Sequence, residues 1–118
     1  MRSIIHCNFG EPAEVLQLAE MPQPEPQAGE VRIKTILSPM HNHDVWTVRG
    51  NYGYKPALPA IGGSEAVGVI DALGEGVSGV ALGQRVAVAA VHGSWAEYFI
   101  APAQGVVPLN DAIEIGRA

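Results

Sequence analysis

Cysteine is nearly missing from this chain. The one example among 118 residues, Cys7, excludes an internal disulfide and a cysteine-rich zinc site. Its scarcity suits a reducing compartment. Basic residues are also few, seven against twelve acids, for a formal net charge of −5. They are scattered at Arg2, Arg32, Lys34, Arg49, Lys55, Arg85 and Arg117, without the clustered basic face that a nucleic-acid binder presents. Long apolar runs are missing as well. The opening stretch, "MRSIIHCNFGEP", has one basic residue but no apolar run of signal-peptide length. The longest weakly polar stretch, Arg85 to Trp95, is broken by His92 and Gly93 and is far too short to span a bilayer. The expectation is a soluble, cytoplasmic protein that binds neither nucleic acid nor membrane.

What is present is a globular mixture, 47% hydrophobic and 16% charged, in a chain long enough for one domain with a real core. Fourteen glycines and nine prolines punctuate short apolar runs, the pattern of an all-β domain with many turns. Strands are predicted at Ser3–Phe9, Glu14–Met21, Glu30–Leu37, Glu65–Gly74, Arg85–Val91, Ser94–Ala101 and Gly105–Leu109. In "EVRIKTIL", Val31, Ile33 and Thr35 face one way and Arg32, Lys34 and Ile36 the other, which is a half-buried strand. "PQPEPQAGE" (Pro22–Glu30) carries three prolines and reads as an extended connector. Cys7, in the first strand, reads as a small core residue. The one clear helix is "NHDVWTVRG", with Asn42 as N-cap, Asp44 in the first turn and Gly50 as the left-handed stop. The predicted fold is mainly β, a partly open β-barrel with one or two short helices over residues 1–118.

The polar stretch "PMHNHDVWTVRGNYG" (Pro39–Gly53) concentrates chemistry-bearing residues. His41 and His43 are too close for the facing pair that i, i+4 spacing gives on a helix. From a loop they can still meet a metal, with Asp44 or Glu65 joining. The simpler reading is polar residues that cap a helix and line a cleft. Gly50 and Gly53 let the backbone turn tightly, so the Tyr52 ring can project into that cleft.

Three stretches, "PEPQAGEVRIKTILSPMHNHDVWTVRG", "PALPAIGGSEAVGVIDALGEGVSGVALGQRVAV" and "GSWAEYFIAP", resemble the N-terminal, GroES-like catalytic domain of the medium-chain dehydrogenase/reductase superfamily. They follow the family's order and cover residues 1 to about 110. The resemblance implies a partner Rossmann domain that binds NAD or NADP and carries a Gly-rich turn after a strand. "GGSEAVG" is not that turn, because its glycines precede a strand. "NDAIEIGRA" matches the place where such a chain enters its connecting helix. The expectation is therefore a catalytic domain without the cofactor domain. Zinc-dependent members offer a cysteine in a Cys-His-x-Asp stretch and a histidine in a Gly-His-Glu stretch. Here His41 and Asn42 stand where that Cys-His pair would be, and Ser64 where the histidine would be. Serine is a poor zinc ligand, so no zinc is expected.

"SPMHNHD" followed by "RGNYG" is most similar to the enoyl thioester reductase and quinone oxidoreductase branch. There, the tyrosine at the position of Tyr52 helps protonate the substrate after hydride transfer. Negative charge develops on the carbonyl oxygen when hydride reaches the β-carbon of an unsaturated thioester. A hydroxyl donor stabilises that enolate, and an acid protonates the α-carbon. The resemblance makes Tyr52 the catalytic donor, His41, Asn42 and Trp95 pocket walls, and Glu65 an acid near the floor of the site. His41 and Asn42 depart from the Asn-Pro of that group, so the pocket differs. The implied function is reduction of an activated C=C bond or a quinone with NADP as cofactor. Two alternatives stand beside it. One is a stand-alone binding module that forms a homodimer or docks on a Rossmann-domain partner. The other is a zinc-dependent alcohol dehydrogenase with altered ligands.

Overall fold

The computed structural model describes residues 1–109, so the predicted connecting-helix entry at "NDAIEIGRA" lies outside the described residues. The alternation in "EVRIKTIL" becomes strand β3 (Glu30–Leu37), with Val31 and Ile33 fully buried and Lys34 and Ile36 exposed. Two strands flank it over the same core, β5 (Ala66–Leu73) and β7 (Tyr98–Pro102). With β6 (Arg85–Val88) and β8 (Val106–Pro108) they form a five-stranded antiparallel sheet in the order β7-β3-β5-β6-β8. Its inner face packs Val31, Ile33, Ile70, Val86, Phe99 and Ala101 into one cluster.

A second sheet is built from β1 (Arg2–His6), β2 (Leu16–Glu20) and β4 (Ala60–Ile61), in the order β2-β1-β4. Between β1 and β2 sits the single turn α1 (Pro12–Val15). The remaining helix, α2 (Asn42–Arg49), follows β3. Segment Trp95–Glu97 stitches the sheets together. On one side Ile4 N–H donates to Trp95 O (2.8 Å) and Glu97 N–H to Arg2 O (3.1 Å), and on the other Thr35 N–H donates to Glu97 O (2.9 Å). The sheets do not close on each other, which matches the partly open barrel expected from the sequence.

Two close approaches need glycine. A Cβ on Gly68 would collide with the backbone oxygen of Lys34, and one on Gly74 with the carbonyls of Gln27 and Glu30. The proline-rich connector is tied down by Arg32, the polar-face neighbour of Val31 and Ile33. Its guanidinium forks onto Asp71 (Nε–Oδ1 2.9 Å, Nη2–Oδ2 3.3 Å) and also donates to Pro24 O and Glu25 Oε1. The Asp71 bond holds the guanidinium in its charged form above the ordinary arginine range.

Several boundaries differ from the sequence reading. The predicted strand Glu14–Met21 is shortened to β2, because Pro12 opens a helical turn that takes residues 12–15. β4 is two residues long, too short to show alternation. Cys7 lies beyond the end of β1 and is exposed rather than a core residue, its Sγ accepting from Gln17 Nε2 at 3.3 Å. Gly105 belongs to a 3₁₀ turn, and only Val106–Pro108 pair as a strand. Among the described residues no helix is long and apolar enough to cross a membrane.

The core assignment predicts that Ile33→Ala lowers stability by about 2–5 kcal/mol. Leu82→Ala, at an exposed turn position, should stay within about 0.5 kcal/mol. Urea unfolding of the two variants checks both.

Candidate functional site

Helix α2 begins one residue earlier than its sequence suggests. The N-cap is His41, extended at φ −98° and ψ 163°, and Asn42 is already helical and exposed. The cap moves because Asp44 reaches back three residues: its Oδ2 accepts from the His41 backbone N–H at 2.9 Å. This satisfies a donor at the positive end of the helix. Gly50 ends the helix in the left-handed region (φ 80°), as its sequence position implied. Val48 is buried, and its carbonyl accepts from Gly10 N–H at 3.1 Å, which fixes the helix against the β1–α1 turn.

The opposing wall is the turn from β4 into β5, "GGSE". Its backbone lies flat on the Trp95 indole: a Cβ on Gly62 or on Gly63 (φ 96°) would overlap that ring. Trp95 N–H donates to Gly62 O (2.8 Å), Gly93 N–H to Gly63 O (2.9 Å) and Val91 N–H to Ser64 O (3.0 Å). Ser38 Oγ (2.7 Å) and Ser94 Oγ (3.2 Å) both donate to Glu65 O. Ser64 therefore stands on a backbone held from beneath at four successive residues.

The two walls meet through hydrogen bonds. Ser64 Oγ donates to Asp44 Oδ1 (2.8 Å) and lies 2.7 Å from His43 Nε2. A hydroxyl has one proton and an ionised carboxylate has none. The serine proton is thus committed to Asp44, and His43 must donate its Nε2–H to Ser64. The His43 ring stacks on His41 (centroids 5.2 Å, 19°) and leans toward Tyr52 (5.8 Å). His41 Nε2 contacts Glu65 Oε2 at 3.1 Å. Across the opening, Tyr54 stacks on His92 with centroids 4.1 Å apart.

These groups border a cleft of about 530 Å³ lined by His43, Asp44, Tyr52, Tyr54, Ser64 and His92. Of the residues expected at the site, Tyr52 lines the cleft and is 41% exposed. His41 and Glu65 form a pair behind His43 and do not line it, and Asn42 points to solvent. Trp95 is buried and borders a separate groove with Ile4, Leu18 and Met40. His43, Ser64 and Asp44 were not brought together by the sequence reading. The spacing of 20 residues between Asp44 and Ser64 forms no local pattern, and Ser64 registers there only as a residue that cannot bind zinc. Among the described residues no group of three or more His, Cys, Asp or Glu side chains is placed to hold a metal ion.

Asp44 is buried, and its carboxylate takes bonds from both walls. Asp44→Ala should cost about 1–3 kcal/mol through the partners it strands. It should also speed amide exchange across residues 42–49 more than in β3, as hydrogen-exchange mass spectrometry will read.

Residues 27–111 match the family model of the alcohol dehydrogenase GroES-like domain. A mitochondrial enoyl-acyl-carrier-protein reductase of Rattus norvegicus is 32% identical over 98% of this chain and 33% of its own length. The crystal structure of the human synaptic vesicle membrane protein VAT-1 homolog-like protein superposes with a TM-score of 0.92 at 30% identity, over 98% of this chain and 37% of that one. Escherichia coli quinone oxidoreductase complexed with NADPH superposes at 0.90 with 28% identity, over 98% of this chain and 35% of that one. The chain spans about a third of the length of the curated relatives it matches. The superpositions, the family model and these relatives agree. The chain belongs to the alcohol dehydrogenase GroES-like domain family, the N-terminal domain of the medium-chain dehydrogenase/reductase superfamily.

Proposed function

We propose that this chain is the catalytic-domain portion of an NAD(P)H-dependent oxidoreductase that reduces an activated C=C bond or a quinone. The observation that carries this reading is the cleft in which Tyr52 stands beside the His43–Ser64–Asp44 chain. A reduction of this class needs a hydroxyl donor for the developing oxyanion and a proton source close by. The Tyr52 hydroxyl, on the cleft wall, is able to serve either need.

The residues present do not fit the dinucleotide itself. A pyrophosphate is held by a Gly-rich turn between a strand and a helix N-terminus. The turn into α2 is Ser38-Pro39-Met40-His41, and its first helical turn already carries the carboxylate of Asp44. We therefore assign NADP, the cofactor of the similar Escherichia coli enzyme, to a domain other than this one. The nicotinamide would supply hydride at the cleft. Tyr52 would donate its hydroxyl hydrogen bond to the substrate oxygen. Zinc has no part in this reading: His41 is engaged by Glu65 and the Ser64 proton by Asp44.

A second reading, a binding module for another chain, draws on the exposed apolar side chains Leu18 (66%) and Met40 (61%) lining the Trp95 groove. Light scattering at increasing concentration reports self-association directly.

The test is NADPH fluorescence titration together with NADPH oxidation in the presence of crotonyl-CoA or a simple quinone. Residues 1–118 alone should neither bind nor turn over. The same chain joined to a C-terminal dinucleotide-binding domain should turn over, and Tyr52→Phe should lower kcat about 10²-fold. Turnover by the isolated chain would overturn the division of labour. No turnover by the joined protein with either substrate would overturn the function.

A further inference from the structure

We infer that His43 is the group that protonates the substrate carbon, and that Ser64 and Asp44 are positioning residues that fix its tautomer. The inference rests on the proposed reductase reading and divides the two tasks that reading left with Tyr52. Tyr52 holds the oxyanion, and His43 delivers the proton.

The argument starts from the direction of the hydrogen bonds. Asp44 is buried and only accepts, so Ser64 donates to it. Ser64 Oγ then accepts from His43 Nε2 at 2.7 Å. This direction rules out Ser64 as a nucleophile activated by His43, because the imidazole points a proton, not a lone pair, at the hydroxyl. It also fixes which ring nitrogen does chemistry. Nε2–H is occupied in every protonation state, so Nδ1 is the atom that gains and loses the proton. The His43 side chain is 40% exposed and borders the cleft, which leaves the ring open to ligand and solvent. The Asp44 side chain is only 4% exposed, and through Ser64 it fixes the Nε2–H side of the ring.

The step is a balanced proton transfer. A substrate enolate, formed once hydride has been added at the β-carbon, would rest its oxygen on the Tyr52 hydroxyl. The enolate pair forms a Cα–H bond with the Nδ1 proton of doubly protonated His43. His43 is left neutral with its proton on Nε2, still bonded to Ser64, and recovers the Nδ1 proton from solvent. No group moves, which is what a preorganised donor requires. The titratable groups around this ring and its cleft are His41 and Asp44 from its own helix and cap, Tyr52 and Tyr54 from the following loop, Glu65 through His41, His92, and His6 at the end of β1.

The test has two arms. In the first, long-range ¹H–¹⁵N correlation spectra of residues 1–118 report the neutral tautomer of His43. Nε2–H in the native chain, shifting to a mixture in Ser64→Ala, is the expected result. Nδ1–H in the native chain overturns the inference whatever the activity. In the second arm, His43→Gln is measured in the protein joined to a dinucleotide-binding domain. Glutamine keeps a donor for Ser64 but cannot ionise. The expected result is kcat lower by about 10²-fold, KM within about twofold, and loss of one limb of the pH–rate profile. Ser64→Ala should shift that limb while retaining more turnover than His43→Gln. An unchanged kcat in His43→Gln overturns the inference and leaves the Tyr52 role intact. Absence of turnover in the unsubstituted joined protein sinks the reductase reading itself and, with it, this step.

Discussion

A buried carboxylate organises this domain's polar wall. Asp44 is taken out of water at the start of a helix, where an uncompensated charge would be costly. Three features offset that cost: the backbone N–H of His41, the hydroxyl of Ser64, and the positive end of α2. Each does a second job. The first places the helix start at His41, the second ties the helix to the β4–β5 turn, and the third orients the helix toward the cleft. His43 then has one available geometry, because the only hydroxyl it reaches has already given away its proton.

Ser64 can serve in this way because its backbone does not move. Gly62 and Gly63 lie on the face of Trp95, and any side chain at either would meet the ring. Trp95 opens the segment that hydrogen-bonds both sheets. The indole is therefore a rigid base for the turn, not a surface of the cleft. Its contribution to any chemistry runs through the position of Ser64 and Glu65. The same segment explains why two sheets that do not close into a barrel still hold a fixed spacing. Three backbone hydrogen bonds, at Ile4, Thr35 and Glu97, take the place of a continuous ladder.

The cleft sets hydrogen-bonding side chains against an apolar lining. One wall carries phenol and imidazole, the other a stacked Tyr54–His92 pair, and the floor is largely apolar. Such a site can hold a flat conjugated group while presenting hydrogen-bond donors at one end. His41 is paired with Glu65, and Ser64 is bound to Asp44. The donors are saturated by one another.

Much of the fold was legible before the structure. Alternation in Glu30–Leu37 and the buried run at Ala66–Leu73 mark their strands because one face or both must leave water, and that need is written in residue type at period two. Gly50 was legible for a similar local reason, since a left-handed stop is a property of one residue's backbone. The β4 pairing and the single turn at Pro12–Val15 were not, because two to four residues carry no period. Of the site, Tyr52 could be placed by its glycines and its family resemblance, but His43 could not. Its hydrogen bond is made to Ser64, 21 positions away, and its direction depends on which of three groups holds one proton. Sequence by itself determined the strands, the helix stop and the family. Only the tertiary structure decided the direction of the hydrogen bonds, because direction is set by burial and by the competition of donors brought together from distant parts of the chain.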